Sequence, residues 1–201
     1  MAAEARTMVY LRQHGYPVPA VDEVSRDGSD LIMERVDGPS MVRAISNAPW
    51  TVTRHAHMLA DLHVQLHDIP PPDFLPAVPI LTGHAVLHLD LHPLNVMIAR
   101  TGPVVIDWST AALGDPDIDV ALAWVIMASG ELPGGPMTST LLGTVRGVLV
   151  HSFLARFERG EITPKLRAIV DAKTTIDPHM SAMEINKMWR VVDRAERRTS
   201  R

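Results

Sequence analysis

The sequence predicts an α+β domain, mostly helical, with its strands confined to short segments. Apolar residues at helical spacing run through 51–69 and through three further segments between 137 and 197. Two short apolar runs, VMIA and PVVIDW, flank RTG and read as a β-hairpin. The order is a few N-terminal elements, a helix, a polar loop, the hairpin and then helices. That is not the alternation of a βαβ series.

Taken in order, residues 2–14 read as a helix stopped by Gly15 and Pro17. YPVPAVDEV reads as extended or strand-like, and 29–36, within GSDLIMERVDG, as a short strand between glycines. In the helix at 51–69, Leu59, Leu62, Leu66 and Ile69 share one face with His55 beside them, and the PPP run at 70–72 ends it. Residues 73–83 read as Pro-rich loop. Val86 and Leu87 lead into HLDLHPLN, a loop because Pro93 interrupts it. After the hairpin, AALGDPD reads as a turn, 118–127 as an apolar and therefore buried helix, and GELPGGP as a break. Helices are expected at about 137–159, 163–174 and 178–197, the last opened by Asp177 and Pro178 and followed by a basic tail.

A chain of 201 residues suffices for one domain or two small ones. Its net charge of −4 gives no nucleic-acid-binding character. The absence of cysteine excludes disulfides, thiolate metal sites and a cysteine nucleophile, and fits a cytoplasmic protein. The N-terminus, MAAEARTMVYLRQHG, carries charges within an amphipathic pattern and lacks the apolar core of a secretory signal. The most apolar span, 118–128, is too short to cross a bilayer. Neither nucleic acid nor membrane is expected as a partner.

The informative stretch is LHLDLHPLNVMIARTGPVVIDW, which sets two Asp, Asn95 and two His in an apolar background. The short hairpin loop lets Asn95 and Asp107 meet at its open end, and Asp90 on the preceding loop can reach the same place. Two carboxylates and an amide so placed need a cation, and an all-oxygen set suits Mg²⁺ with phosphate oxygens. Each residue alone is a common turn former. Together they reproduce H-x-D-L-x-x-x-N, the kinase catalytic-loop pattern, with Leu89 in place of Arg, and Asp107 follows Asn95 by 12 residues at a strand end. A zinc hydrolase competes, because His84, His88, Asp90 and His92 resemble a ligand set and 88, 90 and 92 share one face of an extended segment. It leaves Pro93, Asn95 and the second carboxylate strand without a role. His63 and His67, four apart on a helix, read as packing histidines near the loop.

LHLDLHPLNVMI followed by VVIDWSTAALGDPDIDVA resembles the aminoglycoside phosphotransferase and choline kinase-like family, with its H-G-D-x-H-x-x-N loop, I-D-W strand end and G-D-P-x-x-D-L-A segment. LADLHVQLH, LIMERVDG and EARTMVYLRQHGYPVP resemble, in turn, the helix before that loop, the strand linking the two kinase lobes and the helix bearing the lysine-pairing Glu. The resemblance implies a protein kinase-like fold, with 1–36 a remnant of the N-lobe and 37–201 the C-lobe. It implies ATP and Mg²⁺ as cofactors and γ-phosphoryl transfer to a hydroxyl of a small molecule. Asp90 would be the catalytic Asp, His88 a brace for the loop, Asn95 and Asp107 the Mg²⁺ ligands, and Asp119 a buried anchor of the loop backbone. Met33, Glu34 and Val36 would lie at the adenine, and Glu4 would match the Glu of the lysine–glutamate pair. Leu89 occupies the family's usual Gly position and Leu94 another, which implies a tighter or slightly displaced loop.

No G-x-G-x-x-G occurs, and no lysine precedes Lys165. The chain begins about where the strands bearing those features should end. Two functions follow as expectations: a phosphotransferase, active or vestigial, and a non-catalytic kinase-fold binding protein. An uncovered N-terminal sheet edge would favour a homo-oligomer through 1–36. Glu131, Glu158, Glu161, Asp171, Asp177 and Glu184 offer an acidic wall for a cationic acceptor, against the simpler expectation that they are solvated helix surface.

Overall fold

The computed structural model describes residues 1–25, 28–129, 136–176 and 180–199. Helix α1 (Ala2–Gln13) buries Ala5, Thr7, Met8 and Leu11, and Gly15, at φ 78°, turns the chain out of it. Tyr16 then anchors the chain to the core, its hydroxyl donating to the Leu62 carbonyl. Strands β1 (Val21–Val24) and β2 (Leu31–Met33) form an antiparallel ribbon that leaves Ile32 and Met33 exposed.

The segment after β2 docks on the later hairpin. The Ile98 N–H donates to the Pro39 carbonyl at 2.8 Å, and Gly38 lies so close that an added Cβ would overlap the Ile98 carbonyl. Helix α2 (Met41–Asn47) follows, capped by Ser40, whose hydroxyl accepts from the Arg43 N–H. A 3₁₀ turn at Pro49–Thr51 leads into α3 (Val52–His67). Its buried residues recur at helical spacing: His55, Leu59, Leu62, His63 and Leu66.

The remaining strands make two further antiparallel pairs. β3 (Ala85–Leu87) pairs with β6 (Ala112–Gly114), and β4 (Val96–Ala99) pairs with β5 (Gly102–Val105). Helix α4 (Pro116–Ser129) is buried on nearly every side, as its almost unbroken apolar run requires. It packs against α5 (Pro136–Leu154), α6 (Arg159–Ile176) and α7 (Ala182–Thr199), and α3 closes the other side of α5.

Two elements differ from the sequence expectation. Helix α2 lies in a stretch given no element, because seven residues carry too little periodicity. AALGDPD is not only a turn: Ala112–Gly114 form β6, whose antiparallel partner is β3, from Ala85↔Gly114 to Leu87↔Ala112. The expected break at GELPGGP and the Asp177–Pro178 helix start fall mainly on 130–135 and 177–179, outside the described residues, as do the last two positions of the tail.

Candidate active site

The loop between β3 and β4 hangs from one carboxylate. Asp119, in the first turn of α4, is 1% exposed. Its Oδ2 accepts the His88 N–H at 2.8 Å and its Oδ1 the Leu89 N–H at 2.6 Å. His67 Nε2 lies 3.3 Å from Oδ2. Burial alone would raise the carboxyl pKa, but the His67 bond, the His67 and His63 imidazoles and the His88 amide outweigh it and hold Asp119 below the usual range. The expected buried anchor of the loop backbone is therefore present.

His88 braces the same loop from inside. Its Nε2–H donates to the Ile106 carbonyl at 3.1 Å, which leaves Nδ1 to accept the Asp90 N–H at 3.3 Å. Both bonds need the neutral ring, and burial pushes the imidazole pKa down accordingly. The ring also packs on Trp108, centroids 4.5 Å apart. Leu89 sits at φ 65°, a left-handed conformation that costs an L side chain about 1–2 kcal/mol. The departure at this position is thus accommodated by backbone strain held down by the Asp119 bond.

Asp90 and Asn95 are tied together. Asn95 Nδ2 donates to both the Asp90 carbonyl and Asp90 Oδ2 at 2.9 Å, so its Oδ1 is left as an acceptor without a partner among the described residues. His92 Nε2 lies 3.4 Å from the same Oδ2, its Nδ1 accepting the Leu94 N–H. Burial pushes the Asp90 pKa up, yet the His92 bond and charge, with Lys173 and His88 behind them, bring it below the ordinary value. The Asn95 carbonyl accepts from the Ile106 N–H at 3.0 Å, which sets Asn95 beside the residue preceding Asp107. Asp107 is exposed, at φ 64°, and its Oδ1 accepts from the Ser109 hydroxyl at 2.8 Å. The next residue's N–H, that of Trp108, donates to Glu4 Oε1 at 3.2 Å, which brings α1 to the same spot.

Met33, Glu34 and Val36 are not joined to this group by any hydrogen bond or ion pair among the described residues. Glu34 instead accepts from the Ala20 N–H and faces Arg12 at 3.7 Å. The zinc set does not assemble: both His88 nitrogens are engaged by backbone, His84 is exposed, and no three His, Asp or Glu among the described residues are arranged to hold a metal ion. Thr110, whose hydroxyl donates to the His88 carbonyl at 2.7 Å, and Ser109 were not singled out in the sequence, although both directly follow the D-W pair.

A cavity of about 540 Å³ opens beside Asp90. Its walls include Ile126, Ser129, Lys173, Glu184 and the methionines 180, 183 and 188. Of the six acidic residues considered for an acceptor wall, only Glu184 lines it. Glu158, Glu161 and Asp171 are exposed helix surface, and Glu131 and Asp177 lie outside the described residues.

The fold is that of the kinase-like small-molecule phosphotransferases. Residues 73–143 match the phosphotransferase enzyme family (APH). An aminoglycoside-3'-phosphotransferase of type VIII is similar over 96% of this chain and 78% of its own, at 21% identity and TM-score 0.56. A choline/ethanolamine kinase family protein from Mesorhizobium loti gives 96%, 78%, 11% and 0.57 in the same terms. Amicoumacin kinase hAmiN, solved with AMP-PNP, Ca²⁺ and amicoumacin, gives 98%, 77%, 14% and 0.52. Comparison with curated proteins finds no match. The chain therefore has the aminoglycoside phosphotransferase and choline kinase-like fold, at low sequence identity and over nearly its whole length. Among the described residues no helix is long and apolar enough to cross a membrane.

Proposed function

We propose that this protein is a cytoplasmic small-molecule phosphotransferase that moves the γ-phosphoryl group of ATP to a hydroxyl. The observation that carries it is the joining of Asp90 to Asn95, and of Asn95 to the backbone beside Asp107, at the mouth of a cavity. The free Asn95 Oδ1 and the exposed Asp107 carboxylate are hard oxygen donors that fit Mg²⁺ with phosphate oxygens completing its shell. Such an ion would neutralise charge on the phosphates.

Asp90, held ionised by His92, would accept a hydrogen bond from an acceptor hydroxyl in the 540 Å³ cavity and aim its oxygen at the γ-phosphorus. The new bond joins that oxygen to phosphorus, the bond from phosphorus to the β–γ bridging oxygen breaks, and ADP leaves. The hydroxyl proton passes to Asp90. His88 acts through the loop, fixing the Asp90 backbone. Glu4 holds the Trp108 amide, and Met33 to Val36 supply the segment that an adenine would meet.

A second function, a non-catalytic kinase-fold binding or interaction protein, is favoured by the lack of a Gly-rich motif and of any lysine before Lys165 in this sequence. Calorimetric titration with ATP, with and without Mg²⁺, separates the possibilities. Mg²⁺-dependent binding that Asp107→Ala abolishes is the expected result. Binding without ADP release across a panel of hydroxylated acceptors would establish the non-catalytic alternative. No binding up to millimolar ATP would refute phosphoryl transfer and leave the binding or interaction protein.

A further inference from the structure

A second cavity, of about 660 Å³, lies between α4, α5, α6 and α7, away from Asp90. Arg146, Arg159, Arg194 and Arg198 line it, and among the described residues no Asp or Glu does. Lys173, on the wall of the Asp90 cavity, and Arg159 are 14 residues apart on α6. At helical rise this is about 21 Å, so the two cavities are separate places.

Four arginines converging on one cavity repel one another. By contrast, two arginines of the neighbouring surface are paired: Arg156 with Asp61 at 2.7 Å, and Arg167 with Glu196 and Asp193 at 2.7 and 3.3 Å. The four cavity arginines have no carboxylate partner among the described residues. Glu158 and Glu161, close by in sequence, are exposed and do not line the cavity. Arg159 is the more telling case. Its Nε is buried with no hydrogen-bond partner, while one Nη reaches only the His151 carbonyl at 3.4 Å. A buried guanidinium N–H without an acceptor costs free energy until an acceptor arrives. Arg159 and Gly160 also open α6, whose N-terminal amides add positive potential.

The other wall is apolar: Trp124, half-buried, with Val150, Leu154 and Val191. We propose that this cavity binds a small phosphorylated molecule, its phosphate dianion on the arginines and its apolar body against Trp124. Guanidinium forks match phosphate oxygens two at a time, and a dianion balances more of this charge than a carboxylate does. The volume exceeds that of inorganic phosphate and leaves room for a ring-sized body.

The test is calorimetric titration with phenyl phosphate and with inorganic phosphate. The proteins compared are the wild type, the double variant Arg194→Gln/Arg198→Gln, and Asp107→Ala. Both substituted arginines are exposed, so the double variant folds, which circular dichroism checks. Phenyl phosphate is expected to bind more tightly than inorganic phosphate and to weaken as salt is added. The double variant should lose roughly tenfold in affinity or more, one charged hydrogen bond's worth. Asp107→Ala should bind as the wild type does, because the nucleotide region is elsewhere. Absence of saturable binding, equal affinity in the arginine variant, or loss in Asp107→Ala alone would overturn the assignment. So would co-sedimentation with phosphatidic acid vesicles in preference to binding of the soluble ester, which would make a lipid headgroup the source of the phosphate.

Discussion

His63 should make this protein lose stability in mildly acidic solution. The ring is fully buried on α3, its Nδ1–H donating to the Leu59 carbonyl at 2.8 Å, and its Nε2 has no partner. Phe153 and Phe157 pack around it, with ring centroids 5.1 and 6.3 Å away. Burial is the main cause that lowers its pKa to about 4. The Asp119 carboxylate pulls the other way, and the neighbouring His67 adds to the lowering. The folded state therefore resists a proton that the unfolded chain takes up near 6.5. Stability from this group is complete above that value and falls as pH drops toward 4. A separation of this size corresponds to about 3 kcal/mol in total, of which about 2 kcal/mol falls between about pH 7.5 and about pH 5. The assay is urea unfolding at those two pH values for the wild type and His63→Phe, with His63→Leu as a second variant in case the larger ring overpacks. Both variants remove the titration, so the wild type should lose about 2 kcal/mol more than either one on acidification. His88, lowered by burial in the same direction, is present in all three proteins, so most of its pH dependence cancels in the difference. Equal pH dependence in wild type and variants would refute the reasoning.

Two further outcomes follow from the loop and its surroundings. Asp119→Asn replaces one acceptor oxygen with an NH₂ that faces a backbone N–H, so it should cost about 2–3 kcal/mol in urea unfolding. It should also speed amide exchange at His88 or Leu89, and an unchanged unfolding midpoint would mean that the loop does not hang from this carboxylate. Gly38→Ala forces a methyl against the Ile98 carbonyl, so its midpoint should fall by about 1–3 kcal/mol, and no loss would show that the 37–40 segment does not sit on β4.

What could be read in the sequence was local. Helix α3 was legible because Leu59, Leu62 and Leu66 repeat with the helical period, and the β4–β5 hairpin because RTG separates two apolar runs. Asp90 and Asn95 are five residues apart, so their contact follows from one loop. Asp119 anchoring that loop was available only through resemblance, since no spacing rule links positions 31 apart. The β3–β6 pair escaped notice for a related reason: three-residue strands have no period of their own, and pairing partners are chosen by tertiary packing. The arginine cavity was wholly illegible. Its four cations come from three helices, and along the chain each looks like an ordinary surface charge.

The bond between Glu4 and the Trp108 amide spans 104 positions, and the Val105 N–H likewise donates to the Pro17 carbonyl. During synthesis, α1 leaves the ribosome long before either partner exists. For the time it takes to add about a hundred residues, Glu4 has no Trp108 amide to hold, and a helix of this length is marginal alone. Helix α1 is thus among the last of the described elements to settle, and its high contact order slows that step. A nascent chain stalled before residue 108 would carry an uncovered apolar stripe, which is the kind of surface that chaperones hold.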